Sequence, residues 1–94
     1  MARVLNARIV GRQSGPNRRY IGRPDILGNP FVIGRDGTRA EVIAKYRHWA
    51  PNQPHIVAEL PKLLGSDLIC FCAPLPCHGD VLLEMVQQYV CKEV

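Results

Sequence analysis

Cys70, Cys72, Cys77 and His78 fall within nine residues, in the stretch LICFCAPLPCHGDVLLEM that runs from Leu68 to Met85. No other part of the 94-residue chain gathers as much reactive chemistry. Three sulfurs and one imidazole make a Cys3His set, whose soft donors suit zinc in a tetrahedral site. The spacing Cys-x-Cys-x4-Cys-His is not that of a familiar zinc finger, and adjacent Cys and His ligands are awkward to bring to one ion. A second chemistry needs no metal. A helix N-terminus favours a thiolate and offers free N–H groups to an anion. At such a position Cys77 is a candidate nucleophile, with His78 or Asp80 as acid–base partner. A third reading is structural: Cys70 and Cys72 are small buried hydrophobes, and Cys77, His78 and Asp80 cap the helix. The spacing leaves all three open.

Positioning these residues takes a strand, a loop and a helix. Leu68 to Cys72 is apolar on both faces, which predicts a central strand in a sheet covered on both sides. Alternation along such a strand puts Cys70 and Cys72 on one face and Ile69 and Phe71 on the other. The link 73–76, AlaProLeuPro, carries two prolines and is stiff. Gly79 or Asp80 opens the last helix, with Val81, Leu82, Met85, Val86, Tyr89 and Val90 as its core stripe. Cys91 stands apart as a spare thiol.

Upstream, Arg3 to Val10 mixes apolar and polar positions in the manner of a strand. Gly11 to Asn17 is turn chemistry, and Arg18 to Ile21 reads as a second short strand. The segment 22–37, GRPDILGNPFVIGRDG, is too rich in glycine and proline for a regular element, apart from a short strand at Phe31-Val32-Ile33. Its glycines would let the backbone approach a ligand, although it holds no GxxxxGK[ST] or GxGxxG motif. Thr38 and Glu41 form a capping box before a helix that reaches Ala50, with Val42, Ile43, Tyr46, Trp49 and Ala50 on one face. Tyr46 and Trp49 read as core and rim rather than as a base-stacking platform. Pro51 stops this helix. A second helix is expected over 52–64, capped by Asn52, started by Pro54, kinked or divided by Pro61 and closed by Gly65. Its buried stripe is Ile56, Val57, Leu60, Leu63 and Leu64. His48 and His55 read as solvated.

Hydrophobic residues make up 47% of the chain and charged residues 21%, a globular rather than disordered composition. No apolar run approaches the ~18 residues of a membrane span, and the first residues lack the apolar core of a secretory signal. A cytoplasmic location follows as the expectation, and there clustered cysteines suit metal or reactive thiols better than disulfides. The net charge of +4 is unevenly spread: the first 50 residues hold nine Arg and one Lys against three acids, whereas the remainder is acidic. Arginine forks match phosphates and carboxylates, which points to a nucleotide or a nucleic-acid backbone as well as to a plain solvated face.

The elements TyrIleGlyArgPro at 20–24, GlyAsnProPhe at 28–31, ThrArgAlaGlu at 38–41, LeuIleCysPheCys at 68–72 and ProCysHisGlyAsp at 76–80 together resemble the domain-of-unknown-function family 4326. The resemblance runs from about Tyr20 to Met85. Members commonly carry Trp where this chain has Phe71 and Ala where it has Gly79, and neither departure removes a candidate ligand. The family implies no activity. It occurs in bacteria and in phages, so the resemblance admits a phage origin and a host cytoplasm.

The expected architecture is a small single-domain α/β fold over residues 1–94, with two to four short strands, three helices and a central strand near 68–72. Ligands of such sheets sit beyond the carboxyl ends of strands. The loop from Cys72 to Asp80 and the segment 22–31 are therefore expected to converge on one pocket. Cys72, Cys77, His78 and Asp80 would line one side, with Arg23 and Asn29 opposite. Arg19 and Arg39 are further ligand-binding candidates. Three functions follow: a module binding a nucleotide or nucleic-acid phosphate; a small enzyme of nucleotide metabolism using Cys77 or a zinc ion; and a phage or host interaction protein with a purely structural cysteine cluster.

Overall fold

The computed structural model describes residues 3–11, 13–15, 17–23, 25–72 and 75–90. The spare thiol expected at Cys91, half of the stiff link at Ala73 and Pro74, and Pro24 lie outside them. In chain order the elements are β1 (Val4–Asn6), α1 (Ala7–Val10), β2 (Arg18–Tyr20), α2 (Arg39–Trp49), a 3-10 turn (Ala50–Asn52), α3 (Pro54–Leu63), β3 (Asp67–Cys70) and α4 (His78–Tyr89). The fold is α/β, with an all-parallel sheet ordered β1-β3-β2. The last strand in sequence is thus the middle one in space. Leu68 pairs with Val4 on one side and with Arg19 on the other.

Three consecutive buried residues, Leu68, Ile69 and Cys70, show why β3 is central. Successive strand side chains point to opposite faces, so burial of all three means that both faces are covered. The parallel connection from β2 to β3 needs a long crossover, which α2 and α3 supply. α4 then packs against both helices. Ile21, Leu27, Tyr46, Ile56, Leu60, Leu63, Leu68, Val81 and Leu82 are the core, each essentially inaccessible. Each such aliphatic side chain contributes on the order of 1.5–3 kcal/mol through burial.

α2 starts as its capping box requires: the Thr38 hydroxyl accepts from the Glu41 N–H at 3.2 Å, and the Glu41 carboxylate accepts from the Thr38 N–H at 2.8 Å. Several local expectations are corrected. The strand expected over 3–10 stops at Asn6, because the Asn6 side chain accepts the Arg8 N–H at 2.8 Å and caps the single turn of α1. Phe31-Val32-Ile33 forms no strand beyond an isolated bridge from Ile33 to Gly37: the Phe31 N–H goes to Asn29 Oδ1 and the Val32 N–H to the Asp36 carboxylate, away from any ladder. The N-cap position of α3 is Gln53, which makes no side-chain cap, and not Asn52, whose side-chain amide donates back to the His48 carbonyl at 3.1 Å. Pro61 does not divide α3, because it stands in the last turn with only two helical residues after it. Val57 and Leu64 of its expected stripe are exposed, as is Tyr89 of α4. Gly65, at φ +80, ends the helical run in the left-handed region that glycine adopts freely.

Candidate functional site

Segment 22–37 is irregular but held by its own hydrogen bonds. Asp25 accepts from the Leu27 N–H at 3.0 Å and its carbonyl accepts from the Gly28 N–H at 2.9 Å. The buried Tyr46 hydroxyl donates to the Leu27 carbonyl at 2.8 Å, pinning the segment to α2. Gly28 permits this tight course, since a Cβ there would lie 3.0 Å from the Asp25 carbonyl oxygen and 3.2 Å from the Arg23 nitrogen. After β3, the chain turns at once. The expected strand residue Cys72 instead points its N–H at Cys70 Sγ (3.4 Å), and its carbonyl accepts the Leu75 N–H at 2.8 Å.

These two segments meet beyond the carboxyl ends of β2 and β3, where they enclose a cleft of about 480 Å³. The strand end and loop contribute Cys70, Phe71, Cys72, Pro76, Cys77 and His78. Facing residues include Gly22, Arg23, Asn29 and Phe31, and the first turns of α2 add Arg39, Val42 and Ile43. The lining among described residues contains two arginines and no acid.

Cys70, Cys72 and Cys77 place their three sulfurs within 4.8 Å of one another, an arrangement that could hold a metal ion. Cys70 ends β3 and Cys77 is the N-cap of α4. Their sulfurs lie 3.1 Å apart, with both residues buried and Cys72 half-buried. The Gly79 N–H donates to Cys77 Sγ at 3.2 Å. The hydrogen bond with Cys70, followed by burial, pushes the Cys77 thiol well up, and the Gly79 N–H only partly offsets them. The lowering expected of a helix mouth is therefore overridden, because the same position is desolvated and shares its proton with a second sulfur.

His78 stands outside the sulfur cluster. Its Nε2 is 2.8 Å from the Ile21 carbonyl oxygen, which can only accept, so Nε2 carries the proton. Burial pushes its pKa below the ordinary histidine value, so the ring is neutral near pH 7. Asp80 does not line the cleft. Its carboxylate accepts the Cys77 N–H at 3.0 Å and completes the capping box of α4. Arg19 is also turned away: its guanidinium pairs with Glu59 at 3.0 Å and Asp25 at 3.2 Å. Asn29 lines the cleft, but its amide braces the loop, accepting from Phe31 and donating to the Val42 carbonyl at 3.3 Å. Arg39 donates to the Pro76 carbonyl at 3.1 Å, which bridges α2 to the cysteine loop. Arg23 is exposed, and its guanidinium has no partner among the described residues.

Sequence reasoning missed the aromatic lining. Tyr20, Phe31 and Phe71 all face the cleft. Tyr20 meets Phe71 edge to face, with centroids 6.3 Å apart, and its hydroxyl donates to the Arg23 carbonyl at 3.2 Å. Alternation had sent Phe71 away from the cysteines, an inference that fails because β3 ends at Cys70. The usable signal was Tyr20, which closes β2 directly beside Ile69 of the central strand.

No curated protein and no solved structure matches this chain. A family match does exist, and it extends further toward the N-terminus than the resemblance seen in the sequence. Because it covers residues 6–88, and with them all three strand ends, the cysteine loop and the whole of α2 and α3, the chain belongs to the family described as Domain of unknown function (DUF4326).

Proposed function

We propose that this domain binds a small phosphate-bearing ligand, a nucleotide in the first instance, in the cleft between segment 22–33 and the cysteine loop. The observation that carries the reading is the pair of arginines in the lining: Arg23 and Arg39 line the cleft, and among the described residues no acid does. Arginine forks bind phosphate oxygens through paired charge-assisted hydrogen bonds. Arg39 is braced by Pro76 and so is partly pre-oriented. The size supports a small molecule rather than a polymer, since a cleft of about 480 Å³ lies within the usual range for ligand pockets. Tyr20, Phe31 and Phe71 supply faces or edges on which a base can pack. Binding is favoured over nucleophilic catalysis because the Cys77 thiol is buried and hydrogen-bonded to Cys70 at 3.1 Å.

Calorimetric titration with nucleoside 5′-phosphates, the matching nucleosides and inorganic phosphate tests this. Arg23→Ala and Arg39→Ala should each remove a charge-assisted contact worth about 1.5–3 kcal/mol, roughly a ten- to hundred-fold loss in affinity. Nucleosides that bind as tightly as nucleotides, or arginine variants with unchanged affinity, would refute the reading. Tight binding of single-stranded nucleic acid with no affinity for mononucleotides would replace it with a polymer ligand.

A further inference from the structure

We propose that Cys70, Cys72 and Cys77 bind one thiophilic divalent cation, zinc by preference, and leave its fourth coordination position open to the cleft. Two thiolates on one tetrahedral zinc, each about 2.3 Å from the ion, lie roughly 3.8 Å apart. The three sulfurs bracket that separation: Cys70 and Cys77 are 3.1 Å apart and no pair exceeds 4.8 Å. Adjustments on the order of 1 Å, within reach of small side-chain rotations, bring all three to bonding distance. As each S–metal bond forms, its thiol proton leaves to water, so the filled site carries three thiolates and one dication.

The sulfurs already have outer-shell donors of the kind that support metal-bound sulfur. Cys70 Sγ accepts the Cys72 N–H at 3.4 Å and Cys77 Sγ accepts the Gly79 N–H at 3.2 Å. Such outer-shell donors orient sulfur ligands and spread their charge. The twelve-residue helix α4 begins at the site with its positive end. The net single negative charge of three thiolates and a dication faces Arg23 and Arg39 across the same cleft.

The open position follows from what does not reach the sulfurs. Among the described residues no His, Asp or Glu joins the cluster. His78 is turned to Ile21, and Asp80 is committed to the Cys77 N–H. All three cysteines line the cleft, so the remaining tetrahedral corner faces it. Three protein ligands and a solvent or substrate position are the pattern of reactive rather than structural zinc sites. Water fills that corner in the free protein, and an oxygen or nitrogen of the bound ligand displaces it. This last step rests on the cleft being a ligand site; the ion's binding does not.

The test begins with metal analysis of protein purified under reducing conditions without chelator, which should carry one zinc per chain. Cobalt(II) in its place should give sulfur-to-metal charge transfer and tetrahedral d–d bands. Azide or imidazole should shift the d–d bands by entering the open corner. Cys72→Ser, at a half-buried position, should weaken cobalt binding at least about ten-fold with an unchanged circular dichroism spectrum. His78→Gln should leave the charge-transfer intensity unaltered. Protein that takes up neither zinc nor cobalt, or that holds a Cys70–Cys77 disulfide instead, overturns the metal site. A cobalt spectrum insensitive to azide and imidazole, or lost with His78→Gln, overturns the open position. Stoichiometric metal with azide-sensitive bands, in protein that binds no nucleotide, upholds this inference and refutes the nucleotide reading alone.

Discussion

Tyr46→Phe isolates a single hydrogen bond on which the cleft depends. Tyr46 is fully buried, and its hydroxyl donates to the equally buried Leu27 carbonyl at 2.8 Å. Burial, with the charge of Asp25, pushes its phenol pKa well up, so the donor persists at any working pH. Phenylalanine keeps the ring and its contacts with Trp49 (5.7 Å between centroids) and His78 (5.2 Å). What is lost is the donor alone, and the Leu27 carbonyl is stranded away from water. An unsatisfied buried group of this kind costs about 1–3 kcal/mol. In a domain of this size each kcal/mol moves the melting temperature by roughly 4–8 °C, so a cost near 2 kcal/mol predicts a fall of roughly 8–16 °C. Thermal and urea melts followed by circular dichroism measure it, with exposed Tyr89→Phe as the silent control. The loss should reach the site as well, because Leu27 lies between Arg23 and Asn29 of the cleft lining. Nucleotide affinity should weaken several-fold well below the melting temperature. A shift under about 3 °C, which corresponds to less than 1 kcal/mol, would refute the reasoning. It would mean that another donor satisfies Leu27.

Gly28→Ala should destabilise by about 1–3 kcal/mol through overpacking, because its Cβ would meet the Asp25 carbonyl oxygen at 3.0 Å and the Arg23 nitrogen at 3.2 Å, backbone atoms that cannot swing aside as the Arg23 side chain can; a wild-type urea midpoint would contradict that. The acid limb of stability should come from carboxylates that the fold holds ionised. The Thr38 N–H and hydroxyl hold Glu41 below the usual carboxylate range, and Arg19 with Lys62 does the same for Glu59. Their folded pKa values are depressed, so their stabilisation is complete above the ordinary glutamate value of about 4.3 and is lost as pH falls from there toward the folded values. Glu41→Gln and Glu59→Gln should each flatten the fall in melting temperature below that pH, and an acid limb as steep as that of the wild type in both variants would count against these assignments.

Features governed by neighbours in sequence were legible. The Thr38–Glu41 capping box, the apolar face of α2 and the end of α3 at Gly65 depend on contacts within one or two turns. The centrality of β3 was legible too, because a strand apolar on both faces has no solvated side. Local chemistry misled where it was shared between two uses. Asn6 read as a strand residue and Asn29 as a ligand-binding candidate, yet each spends its side chain on a backbone N–H two residues away.

The sequence by itself determined that this chain is an α/β domain, that its chemistry gathers between β3 and α4, and that its arginines concentrate in the first half. Only the tertiary structure decided which of those residues work together. It brought Cys70, Cys72 and Cys77 into one cluster, sent His78 to a carbonyl 57 residues away, bound Arg19 to a carboxylate 40 residues away, and left Arg23 facing the cleft. The physical reason is competition for partners. Periodicity and capping are settled within a turn or two, whereas a buried polar group takes whichever partner the folded chain brings within about 3 Å. That choice is made by packing, after the elements exist.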